Sequence, residues 1–205
     1  MFEQTDIVAS WLGVGSINMF GRPFSGKDTQ GRKLADLLKG ELVAGGDILR
    51  SHDDPKKIDE VIASGGIIPS DFYLKLVVPY LSQQNFENKP LILSAVGRSH
   101  GEEPIIMKAT TEADHPMKAV ISLQISEDEV WRRFELAPLA KDRGDRTDDN
   151  REALKTRLKK FQTRTVPVIE YYREKGLLIE VDGTLPREQV TQEIFESLIR
   201  QFSIG

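Results

Sequence analysis

Gly21-Arg22-Pro23-Phe24-Ser25-Gly26-Lys27-Asp28-Thr29-Gln30 stands between two stretches of opposite periodicity. Before it, Ser16-Ile17-Asn18-Met19-Phe20 is a short apolar run and predicts a buried strand. After it, Gly31 to Leu38 repeats its apolar residues at helical spacing. A glycine, four residues, then Gly-Lys between a strand and a helix is the arrangement of a phosphate-binding loop. Backbone N–H groups of such a loop, with the helix N-terminus behind them, make a concave positive site for phosphate oxygens. Lys27 adds a point charge there.

Working outward, apolar runs alternate with helical patterns. Gly40 to Ala44 predicts a strand, and Gly45-Gly46 is expected to break it before Asp47-Ile48-Leu49-Arg50. Asp53 to Ile62 and Pro69 to about residue 85 predict two helices, so 45–85 reads as a helical insertion. Pro90 to Ala95 is an unbroken apolar run, the mark of a parallel strand buried on both faces. A helix is expected from Glu103 to about Ala113, and a strand from Met117 to Leu123. Ser126 followed by acids starts another helix, expected to end near Phe134. Residues 136–145 read as a polar connector. Asp149 with Glu152 resembles a capping box, opening a helix with Leu154, Leu158, Phe161 and Thr165 on one face. A further helical stretch ends at Gly176, Leu177 to Val181 is a fifth strand, Asp182-Gly183-Thr184 a turn, and Pro186 to Phe202 a closing amphipathic helix. The pattern predicts an α/β fold with a parallel sheet, right-handed crossovers and ligands at the carboxyl ends of the strands.

Composition narrows the function classes. A chain of 205 residues suits one α/β domain. The formal net charge of −4 gives no nucleic-acid or membrane footprint, and no apolar run is long enough to span a bilayer. The absence of cysteine excludes disulfides, thiolate zinc sites and cysteine nucleophiles, and fits a reducing cytoplasm. Residues 1–15 carry acids and no basic start, so they read as a short extension rather than a signal peptide. The three histidines show no metal-ligand spacing.

Phosphoryl transfer asks for in-line positioning and for positive charge where negative charge accumulates. Arg50, Arg98, Arg133, Arg143, Arg146 and Arg157 are candidates to supply it. Arg98 follows a core strand, where functional loops sit. Arg157 borders a buried helical face and needs an anionic partner: a ligand, or Asp148 or Asp149.

Taken together, these parts resemble the nucleoside-monophosphate kinases, adenylate kinase most closely and in its short-lid form. The similarity rests on Gly21 to Gln30, Gly46 to Arg50, Gly65 to Asp71, Leu91 to Arg98, Arg146 to Asp149 with Arg157, and Pro167 with Tyr171-Tyr172. It covers nearly all of the chain after residue 15. The resemblance implies a three-layer P-loop kinase fold in residues 16–205: a five-stranded parallel sheet, a monophosphate-binding insertion at 45–85 and a short lid at 136–146. It implies a monomer that reversibly transfers the γ-phosphoryl group of Mg-ATP to a nucleoside monophosphate. By matched position, Gly21, Pro23, Ser25, Gly26, Lys27, Asp28, Thr29, Arg133 and Gly183 would bind ATP. Gly45, Arg50, Ile68, Gly97, Arg98 and Glu102 would bind the monophosphate. Lys27, Arg98, Arg146 and Arg157 would stabilise charge in flight.

The sequence departs from that family at four places. Phe24 and Asp28 each stand where the family has glycine. The family's strand-end aspartate is Ser94, so Asp28 is expected to take over its role toward Mg²⁺ with Ser94 behind it; capping the helix N-terminus is the plainer alternative. Glu102 stands for the glutamine that reads the acceptor adenine. An ionised glutamate only accepts hydrogen bonds, which suits guanine, so AMP leads on similarity and GMP is the rival. A regulatory nucleotide-binding protein with weakened catalysis is the alternative from another class.

Overall fold

The computed structural model describes residues 2–50, 70–140 and 150–202. Five strands, β1 (Ser16–Gly21), β2 (Glu41–Ala44), β3 (Leu91–Ser94), β4 (Met117–Gln124) and β5 (Leu178–Asp182), form one sheet in the order β2-β3-β1-β4-β5. Every pairing is parallel, with Ile17 opposite both Ile92 and Ala119. Among the described residues the α-helices are α1 (Phe2–Leu12), α2 (Lys27–Leu38), α3 (Gly45–Arg50), α4 (Ser70–Leu81), α5 (Glu103–Glu112), α6 (Glu127–Ala140), α7 (Arg151–Lys160), α8 (Val166–Glu174) and α9 (Arg187–Phe202). A single π-helical turn, Phe161–Thr165, joins α7 to α8.

The sheet is apolar on both faces because helices cover both. Phe20, Val43, Leu91, Leu93 and Val120 pack on one side with Val77, Leu81, Ile106, Val168 and Tyr172. Ile17, Met19, Ile92, Ile121 and Val181 pack on the other with Leu34, Leu38, Ile194 and Phe195. Adjacent strand residues fall in opposite clusters, as the two-residue period of a strand requires. All of β1 and β3 is buried, the polar Ser16, Asn18 and Ser94 included, which fits the largely apolar composition of both. Among the described residues no helix is long and apolar enough to cross a membrane.

Several boundaries differ from expectation. The N-terminal extension forms α1, whose Val8 and Leu12 are fully buried against the second face. Gly45-Gly46 ends β2 as expected, but the pair itself opens α3, which begins at Gly45 instead of Asp47. Helix α6 continues to Ala140 instead of stopping near Phe134. Its extra turn carries Leu136 at 46% exposure, so no apolar stripe marked it. The cap of α7 is Asn150, whose side-chain oxygen accepts the Ala153 amide at 2.9 Å. The expected helix at Asp53–Ile62 lies outside the described residues.

Candidate active site

The loop after β1 and the start of α2 place Lys27 and Asp28 at the carboxyl end of the central strand. Gly26, at φ 91°, makes the left-handed turn into α2. Lys27 Nζ donates to Asp28 Oδ1 at 2.7 Å, and Ser94 Oγ, from the end of β3, donates to the same oxygen at 2.6 Å. The residue at the lost carboxylate position and the residue expected to replace it are thus in direct contact. Burial holds the Lys27 ammonium below the usual lysine range. The Asp28 pair partly offsets this, and the Arg157 and Arg98 guanidiniums add to the lowering. Both arginines therefore lie within electrostatic reach of Lys27.

The loop after β3 is held from several sides. Asn18, buried in β1, donates from Nδ2 to Val96 O at 2.7 Å. Ala95 and Gly97 take left-handed conformations, at φ 52° and 68°. A Cβ on Gly97 would lie 2.5 Å from Ile106 Cγ1, so glycine is required there. Thr165 Oγ1, in the π-helical turn, donates to Arg98 O at 3.2 Å and leaves the Arg98 side chain exposed. Lys160, at the end of α7, is lowered from the usual lysine range by burial, then by Arg98 and Arg164. It joins the basic cluster without having been singled out in the sequence.

Glu102 is buried at the head of α5 and accepts the Ser99 amide on Oε2 at 3.0 Å. Its neighbour Glu103 is buried too, accepting the Gly101 amide at 2.6 Å and meeting His100 Nδ1 at 3.1 Å. Tyr172 is fully buried, and its hydroxyl has no hydrogen-bond partner among the described residues. Burial pushes this phenol up, and the nearby charges of Glu103 and Glu102 add to the shift.

On the opposite flank, Arg133 of α6 binds backbone carbonyls rather than standing open. Its NH1 donates to Phe24 O at 3.1 Å and to Ser25 O at 3.5 Å, and its NH2 to Gly183 O at 2.6 Å. Glu129 accepts from its Nε at 2.6 Å. Gly183 donates to Gln124 O at 2.8 Å, and a Cβ on it would crowd Ile125 Cγ2 at 3.0 Å and Ser25 O at 3.4 Å. The turn after β5 therefore lies against the loop after β1. Arg22 donates to Ile125 O at 2.8 Å and stacks over Phe161 at 5.5 Å, a brace that no sequence motif announced.

The structure thus gathers Lys27, Asp28, Ser94, Arg98, Arg157 and Lys160 at one end of the sheet. Gly21, Pro23, Ser25, Gly26 and Thr29 belong to the same loop and helix start, and Gly45 and Gly97 follow the adjacent strands. Ile68, Arg143, Arg146, Asp148 and Asp149 lie outside the described residues, as does the Arg50 side chain. No cluster of three metal-ligating side chains occurs among the described residues. The carboxylate and hydroxyl oxygens of Asp28 and Ser94 are nonetheless hard donors of the kind Mg²⁺ and its water shell accept.

A model of the adenylate kinase family matches residues 19–177. The adenylate kinase of Nitrobacter hamburgensis is 30% identical over 190 residues, covering 88% of this chain and 90% of that protein. That of Xanthomonas oryzae pv. oryzae is 30% identical over 187 residues, with 89% and 98% covered. That of Methanosarcina barkeri is 26% identical over 216 residues, with 92% and 100% covered.

Proposed function

The chain belongs to the adenylate kinase family, and from that premise we propose that it transfers the γ-phosphoryl group of ATP to AMP, reversibly, giving two ADP. The observation that carries this reading is the convergence of Lys27, Arg98 and Arg157 on the phosphate loop, with one carboxylate, Asp28, among them.

Phosphoryl transfer leaves little covalent work for the protein, so these cations act by position and charge. The loop amides from Gly21 to Thr29 hold the β- and γ-phosphates of ATP, with Pro23, Ser25 and Gly26 shaping the cradle. Lys27 contacts the phosphoryl group in transit. Its lowered affinity for a proton follows from burial; a polyphosphate arriving there replaces water with a matched anion. Arg133 and Gly183 border the ATP base. Arg98 and Arg50 hold the acceptor phosphate, Gly45, Ile68, Gly97 and Glu102 border the acceptor nucleoside, and Arg146 and Arg157 balance charge as it shifts. Bound Mg²⁺ would neutralise phosphate charge, and Asp28, oriented by Ser94, would hold it through its water shell. The short lid at 136–146 and the insertion at 45–85 would exclude water on closing. The protein works as a cytoplasmic monomer, a reading supported by a cysteine-free chain of net charge −4 that supplies every assigned residue itself.

AMP takes precedence over GMP because the relatives are adenylate kinases. The test is a coupled assay with Mg-ATP against AMP, GMP, CMP and UMP. Turnover with AMP above the other three is expected. Turnover with none of them would overturn the proposal in favour of a nucleotide-binding regulator.

A further inference from the structure

We propose that Phe24 is a positioning residue for ATP: its ring clamps the phosphate loop to α6 and α7. This rests on the reading of Gly21 to Thr29 as the ATP site. Phe24 has φ 63°, a left-handed conformation that is strained for a residue with a Cβ. Such a conformation persists only where the surroundings over-determine it, and here they do so twice. The ring packs edge-on against Phe134, with centroids 5.7 Å apart and planes at 86°. It also joins a small cluster of Ile125, Val130, Leu154 and Leu158, separate from the two large cores. The carbonyl of the same residue accepts Arg133 NH1 at 3.1 Å. One helix, α6, therefore grips both the side chain and the backbone of Phe24.

The contact extends beyond the loop. Phe134 meets Trp131 edge-on at 5.9 Å, and the Arg151 guanidinium lies 5.2 Å from the Trp131 ring centre. An aromatic row thus runs from the phosphate loop to the first residue of α7. A glycine at position 24 would reach this backbone conformation freely but would leave the loop unanchored. In this chain packing replaces conformational freedom, so the preset arrangement of the loop amides depends on the α6–α7 pair. The loop after β3, which faces the acceptor, takes no part in this cluster.

Such a clamp acts on donor binding and not on acceptor binding. In a Trp11→Phe background Trp131 is the one tryptophan left of two, and its emission reports on the row. ATP and AMP affinities are measured by titration in that protein and in Phe24→Gly, Phe24→Leu and Phe134→Leu made in it. Phe24→Gly is expected to weaken ATP binding about tenfold and to leave AMP within about twofold. It should also abolish the Trp131 response to ATP. Phe24→Leu should restore most of the ATP affinity. Adding Phe134→Leu to Phe24→Gly should cost no more than Phe24→Gly alone, because the two act through one contact. Unchanged ATP affinity in Phe24→Gly, or parallel loss of ATP and AMP, would overturn the inference. Should Phe24→Gly fail to fold, Phe134→Leu decides: selective weakening of ATP upholds the clamp, and unchanged ATP binding removes it. Failure of the parent protein to bind ATP would defeat the functional reading itself.

Discussion

At the scale of single residues, Asp28 and Ser94 are the substitutions with the clearest consequence. Their 2.6 Å contact brings a hydroxyl from the strand end to a carboxylate on the loop helix. If Asp28 holds the hydrated metal, Asp28→Asn should raise the Mg²⁺ concentration for half-maximal rate about tenfold and leave the KM for AMP unchanged. An unchanged Mg²⁺ dependence would leave Asp28 only the N-terminal charge of α2. Tyr172 makes a different case. Its buried hydroxyl has no partner among the described residues, so there it carries a desolvation cost with no hydrogen bond to offset it. Tyr172→Phe should therefore stabilise the fold by about 1 kcal/mol in urea denaturation with an unchanged m value; a loss of stability would reveal a partner for that hydroxyl. Neither residue's situation is visible in the sequence. Ser94 could be aligned as a missing carboxylate, but its bond to Asp28 needs two chain segments 66 positions apart to meet.

At the scale of elements, α6 links the phosphate loop to the flank of the site. Arg133 holds carbonyls of the loop and of the turn after β5, and Glu129 holds Arg133. Hydrogen bonds from Arg132 hold the Glu129 carboxyl at about 2 against an ordinary 4.5, with Arg133 contributing and burial opposing. Between those values the unfolded chain binds a proton that the folded chain does not. This contribution to stability is therefore complete above about pH 4.5 and is lost as pH falls toward 2. Glu129→Gln should flatten that part of the acid limb in pH-dependent denaturation, and an identical slope would show that Glu129 contributes nothing. Local signals located α6 by its acidic first turn but not its end, because the turn at Leu136 faces solvent. Likewise Asp149 and Asn150 are both competent caps, and sequence alone does not choose between them; the Asn150–Ala153 bond does.

At the scale of the whole molecule, the parallel sheet places the loops that follow β1, β3 and β4 at one end. β1 lies at its centre, so the loop after it sits between the loops after β3 and β4. The far face is completed by α1, formed by residues whose sequence predicts only an extension. Leu12 is fully buried there with Leu34, Ile194 and Leu198. Leu12→Ala should destabilise the protein by about 2–5 kcal/mol, read as a lower denaturation midpoint, while KM values for both nucleotides stay unchanged. A shift in either KM would connect α1 to the site.

Legible in the sequence alone were the order of the five strands, the helices that follow β1, β3, β4 and β5, and the Gly-x4-Gly-Lys loop between β1 and α2. These are local matters: apolar period, glycine placement and the spacing of Gly-x4-Gly-Lys act over a few residues. Only the tertiary structure decided that Phe24 would be fixed by Phe134 and Arg133, that Asn18 would hold Val96, and that Ser94 would meet Asp28. Each of those contacts joins segments that the sheet alone brings together, and no periodicity within one segment encodes its partner in another. The loop from Gly21 to Gln30 has the pattern of a phosphate site, but the contact that Arg133 makes with its Phe24 carbonyl comes from a helix more than a hundred positions away.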